Sequence, residues 1–122
     1  MTRAYCVLYS IMQRGYVDSQ VKKGLLDICV LAALNRGDSY GWQIIKDVGV
    51  VVEISEGTLY PILKRLEAGN LVETYEVAHN GRLRKYFKIT SGGKTRLKMF
   101  EQEQEQLIKI YEFISGSLRN PS

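Results

Sequence analysis

Ser55-Glu56-Gly57-Thr58-Leu59-Tyr60-Pro61-Ile62-Leu63-Lys64-Arg65-Leu66-Glu67-Ala68 is the stretch that decides the fold. Leu59, Ile62, Leu63 and Leu66 fall at i, i+3, i+4 and i+7, one apolar stripe of an α-helix over Glu56 to Ala68. Ser55 supplies an N-cap oxygen in front of it, and Gly69-Asn70 a stop behind it. Pro61 removes a backbone donor and biases Tyr60 away from helical angles, so the reading requires a kinked or tightened first turn. Away from the stripe stand Glu56, Thr58, Tyr60, Lys64, Arg65 and Glu67, a polar face turned from the core.

Two helices are expected before this one. The apolar run Leu25 to Leu34 is too long for a typical strand and ends at Asn35-Arg36-Gly37, which predicts a helix over Ser19 to Asn35. Asp38 or Ser39 then offers an N-cap to a short helix, Ser39 to Val48, in which Trp42, Ile45 and Val48 recur at helical spacing. Trp42 is read as core packing. Gly49 ends the helix, and Val50, Val51 and Val52 form a connection.

After it come two β-prone segments, Leu71 to Val77 and Arg84 to Ile89, with Asn80-Gly81 between them as a hairpin turn that tolerates positive φ. Thr90 or Ser91 caps a last helix, expected over Thr90 to Ser115, with a loose start at Gly92-Gly93. Along it Leu97, Phe100, Gln104, Leu107, Tyr111 and Ile114 step by 3, 4, 3, 4 and 3, a heptad seam in which the polar Gln104 can set register. Such a helix is ~39 Å long, more than a three-helix core covers. Its stripe either folds back on its own domain or pairs with a second copy of the chain, and pairing is the reading favoured here.

The 122 residues, 45% hydrophobic and 25% charged, make one ordinary folded domain. The apolar stretch Cys6 to Ile11 is far short of the ~20 residues that span a bilayer, and no cleavage pattern follows it, so no membrane partner and a cytoplasmic location are expected. Cys6 and Cys29 are too few for a disulfide scaffold, lie at no metal-ligand spacing, and are read as packing. The single histidine, His79, sits in a polar stretch with no nucleophile arranged beside it. No enzyme, no metal and no cofactor is expected. Charge says more: from Val77 to Phe100 there are seven cations and no acid, which out of a net +4 leaves the rest of the chain at about −3. The segment is either a solvated basic hairpin or a surface for a polyanion.

Three helices followed by a hairpin is the winged helix-turn-helix order, mainly α with a small β-hairpin, in which the third helix enters the DNA major groove and the wing touches flanking backbone. On that order Arg82, Arg84 and Lys85 supply phosphate contacts, Thr58, Tyr60 and Lys64 reach base edges or adjacent phosphates, and Ser55 can hold a phosphate at the helix N-terminus. Tyr40-Gly41-Trp42-Gln43-Ile44-Ile45, Ile54-Ser55-Glu56-Gly57-Thr58-Leu59-Tyr60-Pro61-Ile62-Leu63-Lys64-Arg65-Leu66-Glu67 and Gly81-Arg82-Leu83-Arg84-Lys85-Tyr86-Phe87 with Thr90 resemble the PadR family of bacterial transcriptional regulators. The resemblance covers about Lys22 to Ile114, in the compact branch with a single helix after the wing.

That resemblance implies a homodimeric repressor of a palindromic operator, dimerised through the long last helix. It also places a small aromatic or hydrophobic effector between the dimer halves, with Gln104 standing about where some relatives carry a stacking aromatic. The expected organisation is an N-terminal extension over 1–18, loose or non-native, a winged helix-turn-helix domain over 19–89, a dimerisation helix over 90–115 and a tail over 116–122. A protein-interaction adaptor on the same fold is the alternative, and weak or absent duplex binding would mark it.

Overall fold

The computed structural model describes residues 19–119. The expectations for the extension over 1–18, Cys6 included, and for residues 120–122 lie outside them. The chain runs α1 (Ser19–Asn35), β1 (Ser39–Tyr40), α2 (Gly41–Gly49), α3 (Glu56–Ala68), β2 (Val72–His79), β3 (Arg82–Ile89) and α4 (Ser91–Arg119). The strands form one antiparallel sheet in the order β1-β3-β2.

α1 is the centre of the molecule. Leu26, Ile28, Val30, Leu31 and Leu34 are buried around much of its circumference because α2, α3, α4 and β3 all pack on it. α3 lays its full expected stripe, Leu59, Ile62, Leu63 and Leu66, into the same core, and Val72, Phe87 and Ile89 close it from the sheet.

Both ends of α3 are capped. The Thr58 backbone N–H donates to Ser55 Oγ at 3.3 Å. At the other end the left-handed residue is Asn70, with φ 60°, while Gly69 has φ −85°. Leu71 N–H reaches Leu66 O at 2.9 Å and Asn70 N–H reaches Glu67 O at 3.0 Å, the paired bonds of a Schellman cap. Pro61 lies within a continuous 13-residue helix.

The short second helix begins later than expected. Ser39 and Tyr40 pair with Phe87 and Tyr86 of β3, so neither Asp38 nor Ser39 caps α2; its N-cap residue is Tyr40, without a side-chain hydrogen bond. Trp42 corrects the sequence reading. It is 57% exposed, and α2 turns Gly41, Ile44 and Val48 inward instead. The reason is contact with α3, whose Tyr60 side chain reaches the space that a Cβ at position 41 would fill.

The wing strands extend closer to the turn than their β-prone cores suggest, leaving only Asn80 and Gly81 between them, with φ 51° and 78°. Two successive positive φ values are those of a type I′ turn, whose twist matches the flanking strands. α4 runs four residues past the expected end, through Gly116 to Arg119. Its start is tied down rather than loose. Thr90 Oγ1 accepts from Gly93 N–H at 3.1 Å and donates to Asn70 O at 2.7 Å, and Thr90 N–H donates to Leu71 O at 3.0 Å. Gly93 is buried against Leu71 O and the Ile89 side chain, an approach that only a residue without a Cβ permits.

Candidate nucleic-acid interface

Burying Leu59, Ile62, Leu63 and Leu66 leaves Glu56, Gly57, Thr58, Tyr60, Pro61, Lys64 and Arg65 exposed on α3. At ~100° per residue Gly57, Pro61 and Lys64 form the middle of that surface. Thr58 and Arg65 lie on one flank and Tyr60 on the other. Arg65 is drawn to α1, where its Nη2 meets Asp27 Oδ1 at 2.9 Å, and so braces α3 from one side. Thr58 and Ser55 stay together at the helix start, their hydroxyl oxygens 3.2 Å apart. Ser55 Oγ is thereby occupied as a cap. Tyr60, 48% exposed, rests its hydroxyl end on Gly41. Lys64 is exposed one turn further along.

The wing divides its cations between two faces, because successive strand residues point to opposite sides. Leu83, Lys85, Phe87 and Ile89 share the face that closes the core, and Arg82, Arg84, Tyr86 and Lys88 the outer one. Lys85 stands opposite Glu76 and Lys88 opposite Glu73, so β2 supplies acids that offset two of the cations counted along the chain. Toward the tip, Arg82 faces His79 and Arg84 faces Val77, with no carboxylate opposite either. The net positive charge of the wing is therefore concentrated near the turn.

Arg84 is held on the outer face, its guanidinium carbon 4.0 Å from the centroid of the Tyr40 ring. Tyr40 meets Tyr86 edge to face at 5.5 Å, and Tyr86 stacks on Tyr75 at 5.6 Å, a ladder of three rings across β1, β3 and β2. The ladder ends in a hydrogen bond from Tyr75 OH to Asp38 Oδ2 at 2.7 Å, which raises the Tyr75 phenol above its ordinary pKa. A hairpin with only a two-residue strand on one side is thus stiffened by side chains. Reading along the chain missed these partners, yet one signal was present: once the turn is fixed at Asn80-Gly81, Glu76 must face Lys85 and Tyr75 must face Tyr86.

α4 has two halves. Leu97 and Phe100 are partly buried against the chain's own core, and Gln104 is half-buried. Beyond them Leu107, Ile110, Tyr111 and Ile114 are exposed, as are Phe113 at 81% and Leu118 at 77%. The sequence-predicted seam is therefore split between the chain's own core and an uncovered apolar surface, which also includes Ile110, Phe113 and Leu118 outside the predicted set. Cys29, half-buried on α1, lines a cleft of about 390 Å³ with Ala33 and Val48, and burial pushes its thiol pKa up. That is the environment of a packed thiol rather than a reactive one.

The family model of the transcriptional regulator PadR-like family matches residues 30–99, from the middle of α1 through the wing into α4. The chain belongs to that family. This PadR-like chain is thus a transcriptional regulator rather than an enzyme. It is 33% identical over 107 residues to an uncharacterized protein of Lysinibacillus sphaericus, covering 82% of this chain and 97% of that one. It is similar to the X-ray structure of a PadR-like transcription factor from Bacteroides fragilis, with TM-score 0.70, 33% identity and coverage of 79% and 95% of the two chains. The Bacillus subtilis PadR in complex with operator DNA has the same fold, with TM-score 0.59 and 21% identity, over 62% of this chain and 45% of that one. No helix among the described residues is long and apolar enough to cross a membrane.

Proposed function

We propose that this PadR-like regulator is a homodimeric repressor that reads a palindromic operator in double-stranded DNA. The observation that carries this reading is the joint exposure of the α3 surface, from Thr58 to Lys64, and a wing whose uncompensated arginines, Arg82 and Arg84, stand near its tip. An exposed helix beside a basic hairpin matches the major groove flanked by phosphates. The related fold in Bacillus subtilis PadR was crystallised on operator DNA, which supports the same use here. Such a regulator works in the cytoplasm, with the chromosome.

The second half of α4 supports the dimer. Leu107, Ile110, Tyr111 and Ile114 fall at i, i+3, i+4 and i+7 on a surface that the protomer's own core leaves open. A second copy covers it and sets two recognition helices about one duplex turn, ~34 Å, apart. Release by a small aromatic or hydrophobic effector fits a pocket between paired α4 helices, near Phe100, Gln104 and Tyr111.

Fluorescence anisotropy of the purified protein on its own upstream intergenic duplex and on a scrambled duplex, at two salt concentrations, tests the reading. Strong preference for the native duplex with a steep salt dependence is expected. Equal, weak binding to both refutes autoregulation through that duplex and favours a protein-interaction adaptor. Leu107→Glu is expected to give monomers by sedimentation and to weaken duplex binding; a stable dimer would remove Leu107 from the interface.

A further inference from the structure

Gly41 is the first residue of α2 and is buried. A Cβ built there would overlap the Tyr60 hydroxyl and lie 3.0 Å from Tyr60 Cζ and 3.4 Å from Cε1. The phenol of Tyr60 therefore crosses from α3 and rests on bare backbone at the first turn of α2. About half of the residue's surface nevertheless remains exposed, on the flank of α3 next to Lys64. The following Pro61 restricts the Tyr60 backbone, so what freedom the side chain has lies in its own two torsions. The notch at Gly41 settles where those torsions put the ring.

We infer that Gly41 is a positioning residue for sequence recognition: it acts through Tyr60, seating the phenol so that its exposed edge is aimed at the duplex before binding. The inference rests on the DNA-binding reading above. A ring already held in place loses little side-chain freedom on docking, and a wrong sequence meets a surface that does not adjust to it. The exposed ring edge offers an apolar contact of the kind that a thymine methyl group makes in the major groove. A free Tyr60 would still add contact area but would discriminate less. Leu59, Ile62, Leu63 and Leu66, all buried, anchor α3 in the core, so the helix itself does not move to compensate.

The steric arrangement makes the test selective. The atom that a new methyl group strikes is the far end of a tyrosine side chain, which can swing into solvent while the core stays in place. Gly41→Ala, Tyr60→Phe and the double variant are compared with wild type by anisotropy on the upstream intergenic duplex and its scrambled counterpart, at two salt concentrations. Gly41→Ala is expected to keep its affinity for the scrambled duplex and its salt slope, and to lose about tenfold of its preference for the native one. Tyr60→Phe serves as a reference background, and its own preference measures what the ring gives without the hydroxyl. In that background Gly41→Ala costs little further preference, because removing the hydroxyl removes the overlapping atom and leaves Cζ at 3.0 Å, a contact that a shift of a few tenths of an ångström relieves. Full preference in Gly41→Ala overturns the inference, as does an equal loss from Gly41→Ala in both backgrounds, which would place the effect in the helix backbone. A wild-type protein without preference for the upstream duplex refutes autoregulation through it, and the variants are then compared on the duplex that the wild type selects from a random-sequence library; a wild type that selects no sequence overturns the DNA-binding reading and this inference with it. Should Gly41→Ala not fold by circular dichroism, Tyr60→Ala decides: loss of preference by the same factor supports the inference, and full preference overturns it.

Discussion

Two adjacent glycines at the start of α4 should respond to the same substitution with opposite signs. Helix propensity alone favours alanine over glycine at both positions, by up to about 1 kcal/mol each. At Gly92 a Cβ would find Asn70 O at 3.4 Å, Thr90 Oγ1 at 3.5 Å and Leu71 Cδ2 at 3.6 Å, which is ordinary contact. Gly92→Ala should leave stability unchanged or raise it toward that limit. At Gly93 the added carbon meets Leu71 O, a backbone atom that no rotamer change can move, and lies 3.2 Å from Ile89 Cδ1. Relieving that overlap requires α4 to shift off the base of the sheet, and overpacking of this kind costs about 1–3 kcal/mol. Set against the propensity gain, the net expectation for Gly93→Ala is a loss of about 1–2 kcal/mol. In a domain of this size that lowers Tm by on the order of 5–10 °C. Urea denaturation followed by circular dichroism at one fixed protein concentration checks both variants, since the proposed dimer would make the midpoint depend on concentration. Gly93→Ala as stable as wild type would refute the reasoning, because it would mean that α4 is not pressed onto Leu71 and Ile89.

Other perturbations follow from single contacts. Among the described residues Ser39 Oγ is buried with no hydrogen-bond partner, so Ser39→Ala should match wild type or gain up to about 1 kcal/mol by urea denaturation; a loss of that size would reveal an unseen partner. Thr90→Val removes both the cap to Gly93 N–H and the bond to Asn70 O, and should cost about 1–2 kcal/mol, with Thr90→Ser retaining most of the stability. Tyr75 should titrate above the ordinary tyrosine value of about 10, because its phenol donates to the Asp38 carboxylate and ionising it beside that charge is unfavourable. A raised folded-state pKa means that this contribution to stability is complete below the unfolded value and is lost as pH rises through the folded one. Carbon-13 NMR of the tyrosine ring carbons should show the shift, and Asp38→Ala should return Tyr75 toward its ordinary value. Arg82→Ala should weaken all duplexes alike and reduce the salt slope by about one, and an unchanged slope would take Arg82 off the phosphates.

What could be read from the sequence was local. The α3 stripe, its Ser55 cap and the Asn80-Gly81 turn each depend on residues within one or two turns of each other, so pattern and propensity suffice. β1 could not be read, because a two-residue strand exists only by virtue of Tyr86 and Phe87, more than forty positions away. Trp42 was misplaced for a related reason: helical spacing alone allows either Trp42 or Gly41 to face inward, and Tyr60 decides between them. Gly93 shows propensity pointing the wrong way, since the glycine that weakens a helix in isolation is the one that lets α4 sit on the sheet. The wing's charge looked uniform along the chain because the acids that face Lys85 and Lys88 lie earlier, on β2.

The joint at Thr90 gives these separate features one mechanical meaning. Asn70 closes α3, Ile89 ends the wing and Ser91 opens α4, and the Thr90 hydroxyl and backbone N–H bind the first and third to the second. Gly93 presses α4 onto the same spot, and Leu97 and Phe100 continue the contact along the core. In a dimer held by the outer half of α4, the orientation of each recognition helix relative to its partner passes through this joint, because α4 is the element that spans both the interface and the domain. Hydrogen bonds and a close backbone contact suit that task better than a flexible linker, which would let the two α3 helices drift in spacing and reduce discrimination between half-site separations. Gly93, the second of the two glycines that looked like a weak start to a helix, is on this geometry what lets the connection be close and stiff.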